Sequence, residues 1–272
     1  MKRKQFLRSL SALLIGLALV SGSVLTPLHA EPAKKEVTVF AAASLGDAFK
    51  VLKKSFETAH PGVTVTYNFA GSQQLRAQVE QGATPDVFAS ANLDEIKALA
   101  AKKYVEETQS KIFARNKLVI AVNAQSEIPV KSPKDLAAAK LKLVLADKSV
   151  PVGKYTVKYL DAASKDPAFG ASYKDAVLKN VVSYETNVRA VLTKVTLGEA
   201  DAGVVYATDA QSVETGKLFT ISLPAGLSEI AQYPIAPLVK APNKELAQAF
   251  VAYVLSAEGQ QVLSKFGFLS NQ

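Results

Sequence analysis

Five times along this chain a short apolar run ends in small or hydroxyl-bearing residues and a helix-type pattern begins at once. Residues 37–40 lead into Ala41-Ala42-Ala43-Ser44-Leu45, residues 63–69 into Ala70-Gly71-Ser72-Gln73, and residues 143–146 into Ser149-Val150-Pro151-Val152-Gly153. Residues 181–184 lead into Glu185-Thr186-Asn187-Val188-Arg189, and Gly203-Val204-Val205 into Tyr206-Ala207-Thr208-Asp209. Strand patterns alternating with helix patterns point to an α/β chain with mixed, mostly parallel sheets and helices on both faces. Each junction also presents backbone N–H groups that have no intrahelical acceptor, at the positive end of a helix dipole, where an anion is stabilised. Several such junctions brought together would build an anion receptor from uncharged groups.

The rest of the pattern divides the chain into two lobes. Leu45, Ala48, Phe49, Leu52 and Phe56 follow helical spacing, and Pro61-Gly62 breaks the chain before the Val63-Thr64-Val65-Thr66-Tyr67 strand. A short helix carries Leu75 and Val79 and stops at Gly82, a brief strand covers 86–89, and a helix covers 93–103. Two apolar runs, 118–122 and 235–239, fall outside the alternating rhythm and are expected to be the hinge segments where the chain crosses between lobes. The expected division is residues 31–115 with 232–272 for the first lobe and 116–231 for the second. Lys244–Leu255 and residues 257–266 form a terminal helix pair, expected to pack on the first lobe through Leu246, Phe250, Val254 and Val262.

Residues 1–30 read as an address. Lys2, Arg3, Lys4 and Arg8 form a basic start, residues 10–25 are mostly apolar, and Pro27-Leu28-His29-Ala30 offers a small-residue cleavage site after Ala30. The alternative, an uncleaved membrane anchor, is weakened by the Gly and Ser within the apolar stretch. The cleavage site has no cysteine near it, which argues against a lipid anchor. The mature chain is therefore expected to be exported, periplasmic and soluble.

Composition removes several functions. The chain carries 32 Lys and Arg against 24 Asp and Glu. Four of those cations, and no acid, lie in the leader, so the mature surplus is small, and no basic stripe with interleaved aromatics marks a nucleic-acid partner. With no cysteine, an exported chain has no disulfides to lean on and folds around an ordinary core. Past residue 30 the one histidine is His60, next to Pro61-Gly62 in what reads as a surface turn. Thiol and histidine-assisted nucleophiles and nitrogen or sulfur metal sites are thereby disfavoured. Neither a Gly-x-Ser-x-Gly elbow nor a Gly-x-Gly-x-x-Gly fingerprint occurs. Around Gly153-Lys154 a phosphate loop fails, because Lys148 stands where its first Gly belongs and Tyr155 where Ser or Thr belongs. Carboxylate pairs such as Asp94-Glu95 and Glu106-Glu107 read as solvated charges. No enzyme and no cofactor are expected.

What remains are binding groups with two readings each. Ser44 and Ser72 are either helix N-caps or ligand donors, with Gly71 allowing close backbone approach. Val152 and Val188 matter only as amide donors; by side chain they are core. Tyr206 follows a strand at the edge where ligand sites of open α/β sheets collect, but a structural hydrogen bond explains a buried tyrosine equally well. Arg76 and Arg189 either aid an anion electrostatically or pair with nearby acids.

Taken in order, Ala41-Ala42-Ala43-Ser44-Leu45, Phe69-Ala70-Gly71-Ser72, Val150-Pro151-Val152-Gly153-Lys154-Tyr155, Asn187-Val188-Arg189 and Val204-Val205-Tyr206-Ala207-Thr208-Asp209-Ala210 resemble the periplasmic molybdate-binding proteins of bacterial ABC transporters. The resemblance runs from the Val37 strand to Phe266-Gly267-Phe268. It implies a class II periplasmic binding-protein fold, two lobes closing on one tetrahedral oxyanion, a monomer, and a membrane permease as partner. It also implies a ligand set of hydroxyl and amide from Ser44 and Ser72, amides from Val152 and Val188, and the Tyr206 hydroxyl, with molybdate or tungstate held as the oxyanion and no metal bound directly. Gly71-Ser72-Gln73 departs from the run of serines in many relatives, and Val152 stands where alanine is common. A binding protein for sulfate or another oxyanion, an enzyme acting on small anionic esters, and the effector domain of a DNA-binding regulator are the competing readings. The leader and the missing nucleophile weigh against the last two.

Overall fold

The computed structural model describes residues 35–270; the leader and its cleavage site lie outside them. In chain order, β1 (Lys35–Ala42) passes through one 3-10 turn into α1 (Gly46–Ala59), β2 (Val63–Ala70) into α2 (Ser72–Glu80), and β3 (Val87–Ala89) precedes α3 (Leu93–Ala101). Then come β4 (Lys111–Asn116), β5 (Leu118–Asn123), β6 (Leu143–Ala146), α4 (Pro151–Ala163), α5 (Tyr173–Lys179), β7 (Val181–Glu185) and α6 (Val188–Thr196). The chain continues through β8 (Ala202–Tyr206), α7 (Ala207–Gln211) and β9 (Leu218–Ser222), and returns along β10 (Ala231–Pro237) to α8 (Lys244–Leu255) and α9 (Ala257–Lys265).

These strands form two five-stranded sheets of matching design, ordered β2-β1-β3-β10-β4 and β7-β6-β8-β5-β9. In each, the first strand of a β-α-β-α-β run sits between the second and the third and pairs parallel with both. Two further strands complete each sheet antiparallel. Moving first one way and then back with right-handed crossovers puts successive helices on opposite faces and leaves a crevice at the carboxyl ends of the strands, where the direction reverses. The molecule has two such crevices, one per sheet.

Local sequence explains the cores. The strands β5, β6 and β8 are buried along their whole length, which is why they read as unbroken apolar runs rather than alternations. Helix α1 buries Ala48, Phe49, Leu52 and Phe56 along one stripe. Phe56 meets Phe250 of α8 edge-on at 5.3 Å, and Phe49 meets Phe113 of β4 at 5.8 Å. Each such ring contributes on the order of 1.5–3 kcal/mol by leaving water. His60 ends α1, with its ring stacked on Phe56 and Nδ1 2.9 Å from the Phe56 carbonyl, so it is a satisfied turn residue.

One expectation needs correction. The runs at 118–122 and 235–239 are not crossings: the first is β5, paired on both sides within the second sheet, and the second belongs mainly to β10 of the first sheet. The chain leaves the first sheet at Lys117 and returns through residues 223–230, beside its point of exit, since Asn116 and Ala231 are register partners. Continuous apolar character marked central strands, whereas the links themselves carry little hydrophobic signal.

Candidate functional site

The two crevices face one another. The lining of the cavity between them is Ala42, Ala43 and Ser44 at the end of β1 and just past it, Ala70, Gly71 and Ser72 at the end of β2 and just past it, Ala91 after β3, Val150, Pro151 and Val152 after β6, Asn187 and Val188 after β7, and Tyr206 at the end of β8. All five junctions of the sequence converge here, and Ser44, Ser72, Val152, Val188 and Tyr206 all lie on the wall. No charged side chain is among the lining residues. The space left for the centre of a water-sized sphere is about 10 Å³, too little for an extended guest.

Each side of the wall is built differently. Neither serine caps a helix: the N-cap of α2 is Gly71, and Ser44 sits inside the 3-10 turn without a capping bond. The Ser72 hydroxyl oxygen accepts the Ala91 N–H at 3.1 Å, which leaves its own proton free to turn into the cavity. The Ser44 hydroxyl lies 3.0 Å from the Tyr233 hydroxyl in a fully buried contact. Tyr233 in turn receives the Asn116 Nδ2 donor at 3.5 Å. The Asn116 amide is held in that orientation because its Oδ1 accepts the Lys117 N–H and its Nδ2 also donates to Thr208 Oγ1.

On the other side, Pro151 takes the first position of α4, where its missing N–H costs nothing, and Val152 follows at the second. Val188 opens α6 behind Asn187, whose side chain caps the helix by accepting the Ala190 N–H at 3.0 Å. First-turn amides of α4 and α6 have no acceptor within their helices. The Val152 and Val188 side chains are themselves packed in the core, so what these residues can offer a guest is backbone.

Tyr206 stands out. Its hydroxyl is buried and has no hydrogen-bond partner among the described residues, while the Tyr233 ring lies 5.6 Å away in an edge contact. Burial, with Tyr233 beside it, pushes the phenol well above its ordinary range, so it keeps its proton and acts as a donor. A buried orphan hydroxyl aimed at a cavity is a group awaiting an acceptor.

The nearby charges are paired away from this wall. Arg189 contacts Asp209 at 2.7 Å and reaches Asp47 of α1 at 2.9 Å. Burial raises the Asp209 carboxyl to about 6 even with Arg189 beside it. Arg76 is engaged by Glu80 and Glu95, and Lys154 of α4 joins Glu95 at 3.0 Å across the cleft. Both arginines therefore follow the acid-pairing reading. Gly71 also has a role beyond the one expected: a Cβ there would collide with the Thr186 carbonyl, so the glycine makes room for the opposite lobe. Gln73 Nε2 donates to that same carbonyl at 2.9 Å.

Sequence reasoning missed Tyr233, Asn116 and the Ala91 amide. Tyr233 and Ser44 are 189 positions apart, and no local spacing connects them. No group of three or more His, Cys, Asp or Glu able to hold a metal ion occurs among the described residues.

The chain matches the family described as bacterial extracellular solute-binding protein over residues 37–269. It is 36% identical over 261 residues to the "Molybdate-binding protein ModA" of Mycobacterium tuberculosis, covering 95% of each chain. A solved substrate-binding domain of a putative molybdenum ABC transporter from Clostridium difficile superposes with a TM-score of 0.64 at 29% identity, covering 87% of this chain and 99% of that one. The sulfate-binding protein SubI of Mycobacterium tuberculosis shares the fold with a TM-score of 0.79 at 15% identity, covering 88% of each chain.

Proposed function

The chain belongs to the bacterial extracellular solute-binding protein family, and from that premise we propose that it captures molybdate between its two lobes and delivers it to the permease of an ABC importer. One observation carries the reading: helix-starting junctions from two sheets surround a cavity whose wall is neutral and rich in donors, with the Tyr206 hydroxyl buried and unpartnered. A doubly negative, fully deprotonated tetrahedral ion accepts hydrogen bonds at every oxygen and satisfies such a wall. Ser44 and Ser72 give hydroxyls and amides, Val152 and Val188 give amides, and Tyr206 gives its phenol. Tungstate, with the same charge and shape, binds in the same way. The protein works outside the cytoplasmic membrane as a monomer after loss of residues 1–30, and returns its guest chemically unchanged.

Closure follows from geometry. An anion contacting both lobes binds the closed form more tightly than the open one and shifts the population towards it. The Arg189–Asp47 and Lys154–Glu95 pairs join the lobes at the same cleft, adding the modest energy of partly exposed ion pairs.

Sulfate is the second reading, favoured by the shared fold with a sulfate-binding protein and by the same absence of charge on the wall. Calorimetric titration of the mature protein with molybdate, tungstate, sulfate and phosphate tests both. Molybdate and tungstate are expected to bind most tightly and sulfate more weakly. Phosphate is expected last, because its O–H meets no carboxylate acceptor on the wall, a mismatch of about 1–3 kcal/mol. Tighter binding of sulfate than of molybdate would replace the first reading with the second.

A further inference from the structure

Near neutral pH sulfate carries no proton, while every phosphate species carries at least one O–H. Telling the two apart therefore depends on whether the wall has a hydrogen-bond acceptor to give. Amides cannot accept through nitrogen, and an orphan phenol in a donor wall has other work, but a serine hydroxyl can donate or accept as its proton rotates. Left to themselves, Ser44 and Ser72 would be two adaptable groups in an otherwise fixed wall.

In this structure neither is left to itself. The Ala91 N–H at 3.1 Å occupies one of the two acceptor lone pairs of Ser72. Ser44 faces the Tyr233 hydroxyl at 3.0 Å. The Tyr233 oxygen is already offered the Asn116 Nδ2 proton, and the Asn116 amide cannot flip without losing its bond to the Lys117 N–H at 2.9 Å. The phenol proton of Tyr233 is then the group left to give, and Ser44 Oγ is the acceptor at hand. Each hydroxyl that accepts from behind is polarised towards donating in front.

We infer that Tyr233 is a specificity-determining residue: by donating to Ser44 it takes one of that serine's two lone pairs and turns its proton towards the cavity, as the Ala91 amide does for Ser72, and so biases both serines towards donating and against a protonated oxyanion. The inference rests on the oxyanion-binding reading above. Tyr233 does not line the cavity and touches no guest, so it acts through Ser44 as a positioning residue.

Tyr233→Phe removes the hydroxyl and keeps the buried ring. Sulfate and phosphate are the right probes because they match in size and shape and differ in the proton. Their affinities are measured by displacement of bound molybdate, in the wild type and the variant. The expected result is a loss of about tenfold for sulfate with no comparable loss for phosphate, so that the preference for sulfate narrows about tenfold. Asn116→Ala, which leaves Tyr233 in place but frees its proton, should narrow the same ratio less, and it serves as the test if Tyr233→Phe does not fold. A purely structural role would lower both affinities together, and an unchanged ratio in a folded variant overturns the inference while leaving molybdate capture standing. Wild-type protein that binds no tetrahedral oxyanion overturns both.

Discussion

The two sides of the cavity reach the same chemistry by different means. The first lobe presents serine hydroxyls whose direction is set by groups behind them, the Ala91 amide and the Tyr233 phenol. The second presents the first turns of α4 and α6, where direction is set by the helix itself, together with the Tyr206 hydroxyl. A hydroxyl must be oriented by a neighbour, whereas a helix amide is oriented by construction. The first side should therefore be fragile to side-chain substitution and the second nearly indifferent to it.

The largest effect expected is one that breaks both sides at once. Gly71→Ala sets a methyl against the Thr186 carbonyl of the opposite lobe and against the flexible Gln73 side chain of its own, which can swing aside, so closure is blocked while each lobe keeps its core. Molybdate affinity should fall by about a hundredfold or more, with the ligand-free melting temperature within about 2 °C of wild type, as calorimetry and thermal denaturation can show. Next come the hydroxyls. Ser44→Ala and Ser72→Ala should each weaken molybdate by about tenfold to a hundredfold, and Tyr206→Phe by about tenfold, since each removes one donor to a charged guest. If the serine variants bind like wild type, the first side is not the side-chain-dependent one.

A smaller effect concerns stability. Burial lifts the Asp209 carboxyl to about 6 from its ordinary 3.8, so the fold disfavours its charged form, in contrast to a paired surface acid. Its penalty is full above about pH 6 and is relieved as pH falls towards 3.8. Relative to Asp209→Asn, the wild type should therefore gain about 1 kcal/mol between about pH 7 and about pH 5, measured by denaturant titration at each pH. Smallest of all, Val152→Ala and Val188→Ala should change molybdate affinity by less than about threefold, although each costs roughly 1 kcal/mol of stability through lost packing. A tenfold loss in either would mean that the second side also works through its side chains.

The sequence exposed a good deal of this. Residues 63–69, 181–184 and 244–255 read correctly as strands and a helix because burial on one face imposes a period that survives in the residues. The five junctions were legible as anion-friendly because a small or hydroxyl residue between a strand and a helix has a backbone consequence whatever else surrounds it. Ser44, Ser72 and Tyr206 could be named as candidates from their chemistry. Val152 and Val188 were fainter, since an amide donor leaves no trace in the side chain: their place at helix-starting junctions made them plausible, and the resemblance to a known family assigned them a role. The hinge was misplaced because β5 and β10 are buried strands in interior positions, and an apolar run says that a segment is buried without saying in which sheet. Tyr233 was invisible for a stronger reason: its role exists only once β10 has returned to the first sheet beside Asn116, after more than a hundred intervening residues.

Dipoles without net charge, taken from both lobes, are expected to hold a doubly charged ion. A crystal structure of the mature protein with molybdate, located by the anomalous signal of molybdenum, tests it most directly. The metal peak should lie between the two crevices, with its oxygens accepting from the Ser44 and Ser72 hydroxyls, the Val152 and Val188 amides and the Tyr206 phenol. Oxygens held by Arg189, Arg76 or Lys154, or a peak outside the cavity, would contradict it.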